Sequence, residues 1–282
     1  MNKNFICFII NEAEYGHTFY EYVTVSTNYY TERKRDRFMF RFIILCLWVV
    51  FFLIITLPVQ FIEWIIGKFN PGLKDRSSLA IVNFAFRICL WITGVKVTVL
   101  GEENVPKDIP VLYVGNHRSY FDILLTYVRV PRPTGYIAKV EMLRYPSLRK
   151  WMKYLHCLFL DRKDIKAGMK TVLEAIEKIK NGISICIFPE GTRNRVNDTF
   201  MEFHNGSFKI AEKSGCPILP MAINNSAAIF EDHLPKIKKA HVVIEYLPPI
   251  YMNELDKEDK KKIGEYVSKK IQEAYFKNKE LI

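Results

Sequence analysis

Apolar residues crowd the first third of the chain and then fall into short, separated runs. Residues 42–59 (FIILCLWVVFFLIITLPV) contain no charged side chain, and about 18 such residues is close to the shortest helix that spans a bilayer. Phe38, Met39 and Phe40 lengthen the run, interrupted only by Arg41. It lies too deep in the chain and is too long for a secretory h-region, and no small-residue cleavage pattern follows it. Pro58 breaks the helix, and a second apolar segment covers 79–93 (LAIVNFAFRICLWIT). Asn83 and Arg87 inside this shorter segment suit a re-entrant or interfacial helix better than an independent span. Residues 38–93 therefore predict a membrane-embedded helical hairpin with both ends on one side. Arg33, Lys34, Arg35, Arg37 and Arg41 adjoin its start, and the positive-inside rule makes that side the cytoplasmic face of the cell membrane.

Past residue 94 the pattern changes to strands alternating with helices. Apolar runs at 96–100, 111–114, 134–138, 157–160, 183–188, 218–223 and 241–246 predict strands. Several are apolar at consecutive positions, as in strands covered on both faces. The clearest helix is 164–180, where Ile165, Met169, Val172, Ile176 and Ile179 keep the i, i+4, i+7 spacing and Asn181-Gly182 supplies a stop. A charged helix is predicted over 257–278. The alternation predicts an α/β domain over 94–282, with a mixed, largely parallel sheet flanked by helices. Residues 1–31 are polar and aromatic without periodicity and predict no element, and with the basic stretch that follows they make up a leader over residues 1–37. This leader is disordered, or it precedes a start at Met39.

The net charge of +11 is local: 129–170 holds eleven Lys/Arg against three acids. Such an excess attracts phosphates, on an anionic membrane surface or on a small substrate. Nucleic acid is a poor partner, because no RRM, zinc-finger or helix-turn-helix pattern occurs. The cysteines at 7, 46, 89, 157, 186 and 216 form no C-x-x-C pair. That removes support for zinc or a disulfide framework and predicts buried free thiols in a reducing compartment.

Two polar clusters interrupt the apolar runs. Asn116-His117-Arg118-Ser119-Tyr120-Phe121-Asp122 follows the second strand. Five residues on a regular helix correspond to about 500°, which leaves His117 and Asp122 roughly 140° apart. They can meet only if His117 precedes the first turn, and Ser119 as N-cap of a helix over 120–128 allows this. An acid on one imidazole nitrogen frees the other for a substrate proton. The same spacing also fits a surface histidine beside an ordinary first-turn acid. Phe188-Pro189-Glu190-Gly191-Thr192-Arg193 ends the fifth strand, where α/β sheets gather ligands. Gly191 allows close backbone approach, and the planar fork of Arg193 matches two phosphate oxygens. A structural Glu190–Arg193 pair in a tight loop is the alternative. Phe159-Leu160-Asp161-Arg162 ends another strand in charge, and Pro217 and Pro220 punctuate the sixth.

Together these four segments resemble the glycerolipid and lysophospholipid acyltransferase family, most closely the bacterial 1-acyl-sn-glycerol-3-phosphate acyltransferases. Asn116, His117 and Asp122 match its N-H-x-x-x-x-D motif, and Phe188 to Arg193 match F-P-E-G-T-R at every position. Phe159, Asp161 and Arg162 match F-x-D-R, and Pro217 and Pro220 match P-x-x-P. The likeness covers about 95–223 in the family's order. The second motif usually opens with glycine, where this chain has His156, and that departure leaves the acceptor headgroup less fixed than the reaction.

The resemblance implies transfer of a fatty acyl group from a thioester, acyl-CoA or acyl-[acyl-carrier-protein], to the free hydroxyl of 1-acyl-sn-glycerol 3-phosphate (lysophosphatidate). It implies phosphatidate as product, no metal, no cofactor and no covalent enzyme intermediate. His117, oriented by Asp122, would deprotonate the acceptor. Lys139, at the end of strand 134–138, is the candidate oxyanion donor, with backbone N–H groups as the alternative. Arg162, Glu190, Gly191, Thr192 and Arg193 would bind the acceptor, and Asn116, Phe159 and Pro217 would shape the pocket. Rival readings are a different lysophospholipid or glycerol 3-phosphate as acceptor, a catalytically silent membrane lipid-binding protein, and a hydrolase using the dyad on water. The last lacks a G-x-S-x-G elbow.

Overall fold

The computed structural model describes residues 39–161 and 164–282, so the expected leader over 1–37 and Arg162 lie outside the described residues. Seven strands form at the places where the apolar runs predict them. They are β1 (Lys96–Leu100), β2 (Leu112–Gly115), β3 (Thr134–Lys139), β4 (Leu158–Leu160), β5 (Ser184–Ile187), β6 (Ile218–Asn224) and β7 (His241–Tyr246). They join in one sheet of order β1-β7-β6-β2-β5-β3-β4. Every pairing is parallel except β6 with β7.

Consecutive apolar residues require both faces of the sheet to be covered, and helices cover both. N-terminal to the sheet run α1 (Met39–Ile55), α2 (Leu57–Phe69) and α3 (Pro71–Thr93). Between and after the strands lie α4 (Phe121–Tyr127), α5 (Pro146–Tyr154), α6 (Ile165–Lys180), α7 (Lys209–Ser214), α8 (Lys257–Lys261) and α9 (Ile263–Asn278). Tyr113, Cys186, Leu219 and Met221 point to one face and join Val82, Phe121, Leu125 and Trp151 of α3, α4 and α5. Leu112, Val114, Ile185 and Ile218 point to the other and join Ala175, Ile210 and Val267 of α6, α7 and α9. Each fully buried aliphatic side chain contributes about 1.5–3 kcal/mol. On α6 the Asp164 carboxylate caps the first turn, and Met169 stays exposed while Ile176 and Ile179 are buried. The helix expected over 257–278 is two helices that meet at Lys262.

The N-terminal helices differ from the expected hairpin. No single helix among the described residues is long and apolar enough to cross a membrane, but α1 and α2 pass that test as a pair bent by 48°. The bend falls at Thr56, just before Pro58 near the start of α2. The second segment begins earlier than its apolar run suggests, at Pro71, where the Asn70 side chain accepts from Leu73 N–H. Trp48 Nε1 of α1 donates to the Ala85 carbonyl of α3 (3.2 Å), so the helices are tied side by side.

On α2 the usual arrangement is inverted. Gln60 and Glu63 are buried, while Phe61, Ile62 and Trp64 are about half exposed. Thr56, Gln60 and Glu63, spaced i, i+4 and i+7, make one polar stripe. Trp151 Nε1 donates to Thr56 Oγ1 (3.0 Å) and Gln60 Nε2 to Ser147 Oγ (2.8 Å), which docks the stripe on α5. Ser77 and Ser78 of α3 donate to Glu63 Oε2 (2.9 and 3.0 Å).

His156, where the family has glycine, adopts a left-handed backbone with φ 59°. That is the conformation glycine takes freely, so the family residue and the turn agree. The imidazole Nε2 instead lies 2.9 Å from Asp75 Oδ1 of α3. Burial pushes the Asp75 carboxyl up, but His156 and Lys74 outweigh it and hold the group below its ordinary value. The same turn presses on β3, because a Cβ on Gly135 would sit 2.2 Å from the His156 carbonyl oxygen. Gly135→Ala is therefore expected to lower stability by about 1–3 kcal/mol, the cost of overpacking. Gly206→Ala, where an added Cβ meets nothing within 4 Å, should cost far less. Thermal unfolding of both variants in detergent checks this, and equal melting temperatures would refute it.

Candidate active site

Strands β6, β2 and β5 are parallel neighbours, so the loops at their carboxyl ends converge. The loop after β2 carries the dyad. His117 Nδ1 lies 2.8 Å from Asp122 Oδ2, and His117 precedes α4, as the helix geometry requires. Asp122 has no exposure, and the same Oδ2 accepts from the backbone N–H groups of Arg118 and Ser119, each at 2.8 Å. Ser119 Oγ accepts from Phe121 N–H, which starts the helix. The buried carboxylate thus folds the loop back on itself and turns the imidazole at once. With Nδ1 engaged by Asp122, Nε2 is the nitrogen left for a substrate.

The loop after β5 supports His117 from behind. Glu190 Oε1 accepts from His117 N–H (2.7 Å), and Asn194 N–H donates to the His117 carbonyl (2.8 Å). The Phe188 ring stacks on the imidazole at 4.3 Å between centroids. Gly191 closes the turn through its N–H to the Phe188 carbonyl, at φ 72°. Asn116 extends the β2–β6 ladder with its side chain. Its amide donates to the Ile223 carbonyl and accepts from Ile223 N–H (2.9 and 2.8 Å).

Beside the dyad sits Arg193, its guanidinium 3.6 Å above the Tyr120 ring and 3.1 Å from Glu231 Oε1. Glu231 also accepts from Tyr120 N–H and from Ser119 Oγ, both at 2.7 Å. Tyr120 leads into an apolar cleft of about 200 Å³ between α1 and α4, lined also by Phe42, Leu45, Val49, Leu124 and Phe230.

Several expected roles move. Glu190 is 3 % exposed and accepts backbone N–H groups at both oxygens, the second from Met201 (3.4 Å), so it ties loops together instead of presenting a carboxylate to an acceptor. Asn116 is likewise consumed by the ladder and does not shape a pocket. Pro217 stands at the amino end of β6, its carbonyl accepting from Leu112 N–H, at the end of the sheet opposite His117. Lys139 is exposed at the end of β3, two strands from β2. At about 4.8 Å per strand the β3 backbone stands roughly 10 Å to the side of β2, so only the reach of the lysine side chain brings its ammonium toward the thioester carbonyl that the hydroxyl attacks. Phe159 lies on β4, paired with Ala138, and Thr192 is exposed in the loop. Sequence reasoning missed Glu231, Tyr120 and the stacking role of Phe188.

A family model described as Acyltransferase matches residues 96–224, the stretch that holds β1 to β6 and both motifs. A 1-acyl-sn-glycerol-3-phosphate acyltransferase of Borreliella burgdorferi is 32% identical over 196 residues, which is 70% of this chain and 78% of that one. The chain belongs to the acyltransferase family. A probable 1-acyl-sn-glycerol-3-phosphate acyltransferase of Mycoplasma pneumoniae is 31% identical over 229 residues, 76% of this chain and 82% of its own. The crystal structure of the 1-acyl-sn-glycerophosphate acyltransferase PlsC of Thermotoga maritima has the same fold. Its TM-score is 0.75 over 87% of this chain and 97% of that one, at 24% identity.

In this acyltransferase the buried Glu190 has a measurable signature. Burial pushes its carboxyl from the ordinary 4.5 up to about 7, against the downward pull of the His117 and Met201 N–H groups. A group raised in the folded state contributes stability that is fully present below the unfolded value and lost as pH rises through the folded one. Between about pH 4.5 and 7 the native protein should lose on the order of 3 kcal/mol from this group. Glu190→Gln cannot ionise and should flatten that slope. Urea unfolding at pH 5 and pH 8 checks it, and identical slopes would contradict the assignment.

Proposed function

We infer that the protein transfers a fatty acyl group from a thioester donor to the free hydroxyl of 1-acyl-sn-glycerol 3-phosphate, giving phosphatidate for phospholipid synthesis. The observation that carries this reading is the His117–Asp122 pair at 2.8 Å, set beside the guanidinium of Arg193 and an apolar cleft. His117 Nε2 takes the acceptor's hydroxyl proton as the oxygen attacks the thioester carbonyl. The tetrahedral intermediate then expels the thiolate, which leaves as the thiol with the proton from His117. General-base catalysis of this kind contributes about 10²–10⁴-fold. Arg193 binds the acceptor phosphate, and Arg162 is carried by its motif to the same role. Lys139, or else backbone N–H groups, holds the oxyanion that forms on the thioester carbonyl. The apolar cleft beside Tyr120 takes an acyl chain. The donor is an acyl thioester of coenzyme A or of an acyl carrier protein.

The lipid acceptor and product stay in a bilayer, and the inverted α2 supports a membrane seat for the enzyme. Exposed Phe61, Ile62, Trp64 and Trp91 give α2 and α3 an apolar outer surface, with the polar stripe turned inward. Next to it, docked through Ser147, α5 and its leading turn carry Arg144, Arg149, Lys150 and Lys153 with an exposed Tyr145. Apolar surface rimmed by cations suits an anionic membrane face. The bent helix pair and α3 form the membrane-embedded hairpin on this reading, with the domain over 94–282 on the cytoplasmic face of the cell membrane.

The full chain in phospholipid vesicles, given lysophosphatidate and an acyl thioester, should form phosphatidate detected by mass. His117→Ala is expected to slow turnover by about 10²–10⁴-fold. Wild-type turnover in that variant would remove His117 from the chemistry. Free fatty acid as the main product would favour a hydrolase, and a phosphate-free acceptor outperforming lysophosphatidate would change the acceptor.

A further inference from the structure

We propose that Glu231 is a positioning residue that sets Arg193 for the acceptor phosphate and ties it to the dyad loop. This rests on the reading that Arg193 binds that phosphate. Glu231 belongs to none of the motifs and lies 112 residues from Ser119 and 38 from Arg193 in sequence. Yet one carboxylate meets three groups of the site. Oε1 accepts from Tyr120 N–H (2.7 Å) and from Arg193 (3.1 Å), and Oε2 accepts from Ser119 Oγ (2.7 Å). The side chain is 16% exposed, so these bonds are partly shielded from water and stronger for it.

The geometry explains why Arg193 needs such a partner. A free arginine on a loop samples many rotamers, and a phosphate that binds it must order it first. Here the guanidinium plane is fixed from below by the Tyr120 ring and from one edge by Glu231. That leaves its remaining N–H groups preorganised for an oxyanion, which lowers the ordering cost on binding. Tyr120 and Ser119 sit between His117 and Asp122, so the same carboxylate fixes the phosphate site relative to the base. The dyad loop has its own supports in Asp122 and Glu190. Loss of Glu231 should therefore loosen Arg193 more than His117.

The test is a double-mutant cycle on the full chain in vesicles, with KM and kcat measured separately for lysophosphatidate and acyl thioester. Arg193→Ala should raise KM for lysophosphatidate. Glu231→Ala should raise the same KM about tenfold, with kcat within about threefold and KM for the thioester unchanged. The double variant should be no worse than Arg193→Ala alone. If Glu231→Ala fails to fold, Glu231→Gln enters the same cycle, since its amide keeps the shape and loses the charge that pairs with Arg193. Additive effects in the double variant would overturn the proposal, as would equal rises in both KM values or a fall in kcat alone. If Arg193→Ala leaves the lysophosphatidate KM unchanged, the phosphate assignment itself fails and takes the Glu231 role with it. That outcome is distinct from additivity, in which Arg193 matters and Glu231 acts elsewhere.

Discussion

One oxygen atom organises the site. Asp122 Oδ2 takes hydrogen bonds from His117 Nδ1, Arg118 N–H and Ser119 N–H, all at 2.8 Å, in a residue with no solvent exposure. A buried carboxylate without such partners would be strongly disfavoured, so the loop that supplies them is held in one shape. That shape puts His117 ahead of α4, where a five-residue spacing can close. The remaining contacts follow from it: Phe188 can stack on the ring, Glu190 can take the His117 N–H, and Asn194 can bond its carbonyl only once the loop is closed.

The sheet makes this possible by bringing three strand ends together. β2, flanked by β6 and β5, delivers the dyad loop between the two loops that support it. The N-terminal helices meet the same region from one side, where α1 and α4 enclose the apolar cleft. An aqueous base, a cation and an apolar groove thus share one rim. Acyl transfer from a thioester to a lipid hydroxyl needs that combination, and catalysis gains from its being preassembled.

Much of this was legible in the amino-acid sequence, for physical reasons. Several strands are covered on both faces and so are apolar at successive positions, and all seven announced themselves with no end displaced by more than one residue. The requirement that His117 lie off the helix followed from helix geometry alone. Other features had no local signal. Glu231 acts across 112 residues, and an isolated acid in a loop looks like any solvated one. Thr56, Gln60 and Glu63 carry no local signal of a shared role, and only the docking of α5 shows that the polar stripe faces inward. Glu190 was misread because its motif position suggests a substrate contact, whereas backbone N–H groups claim both oxygens. Pro217 was misplaced because strand direction decides which residues reach one end of the sheet, and that is not written in a single segment. His156 shows the reverse, since a residue that breaks the family pattern still adopts the left-handed backbone the pattern's glycine implies.

The central claim is that Asp122 holds His117 with Nδ1 protonated and Nε2 free to act as a base. Nitrogen-15 spectra of the full chain with labelled histidine, in detergent micelles, report the tautomer directly, with His117→Ala assigning the signal. The neutral form should show a protonated Nδ1 bonded to the carboxylate and an unprotonated Nε2. A neutral His117 that carries its proton on Nε2 would contradict the account, because no free nitrogen would then remain to accept the acceptor's proton.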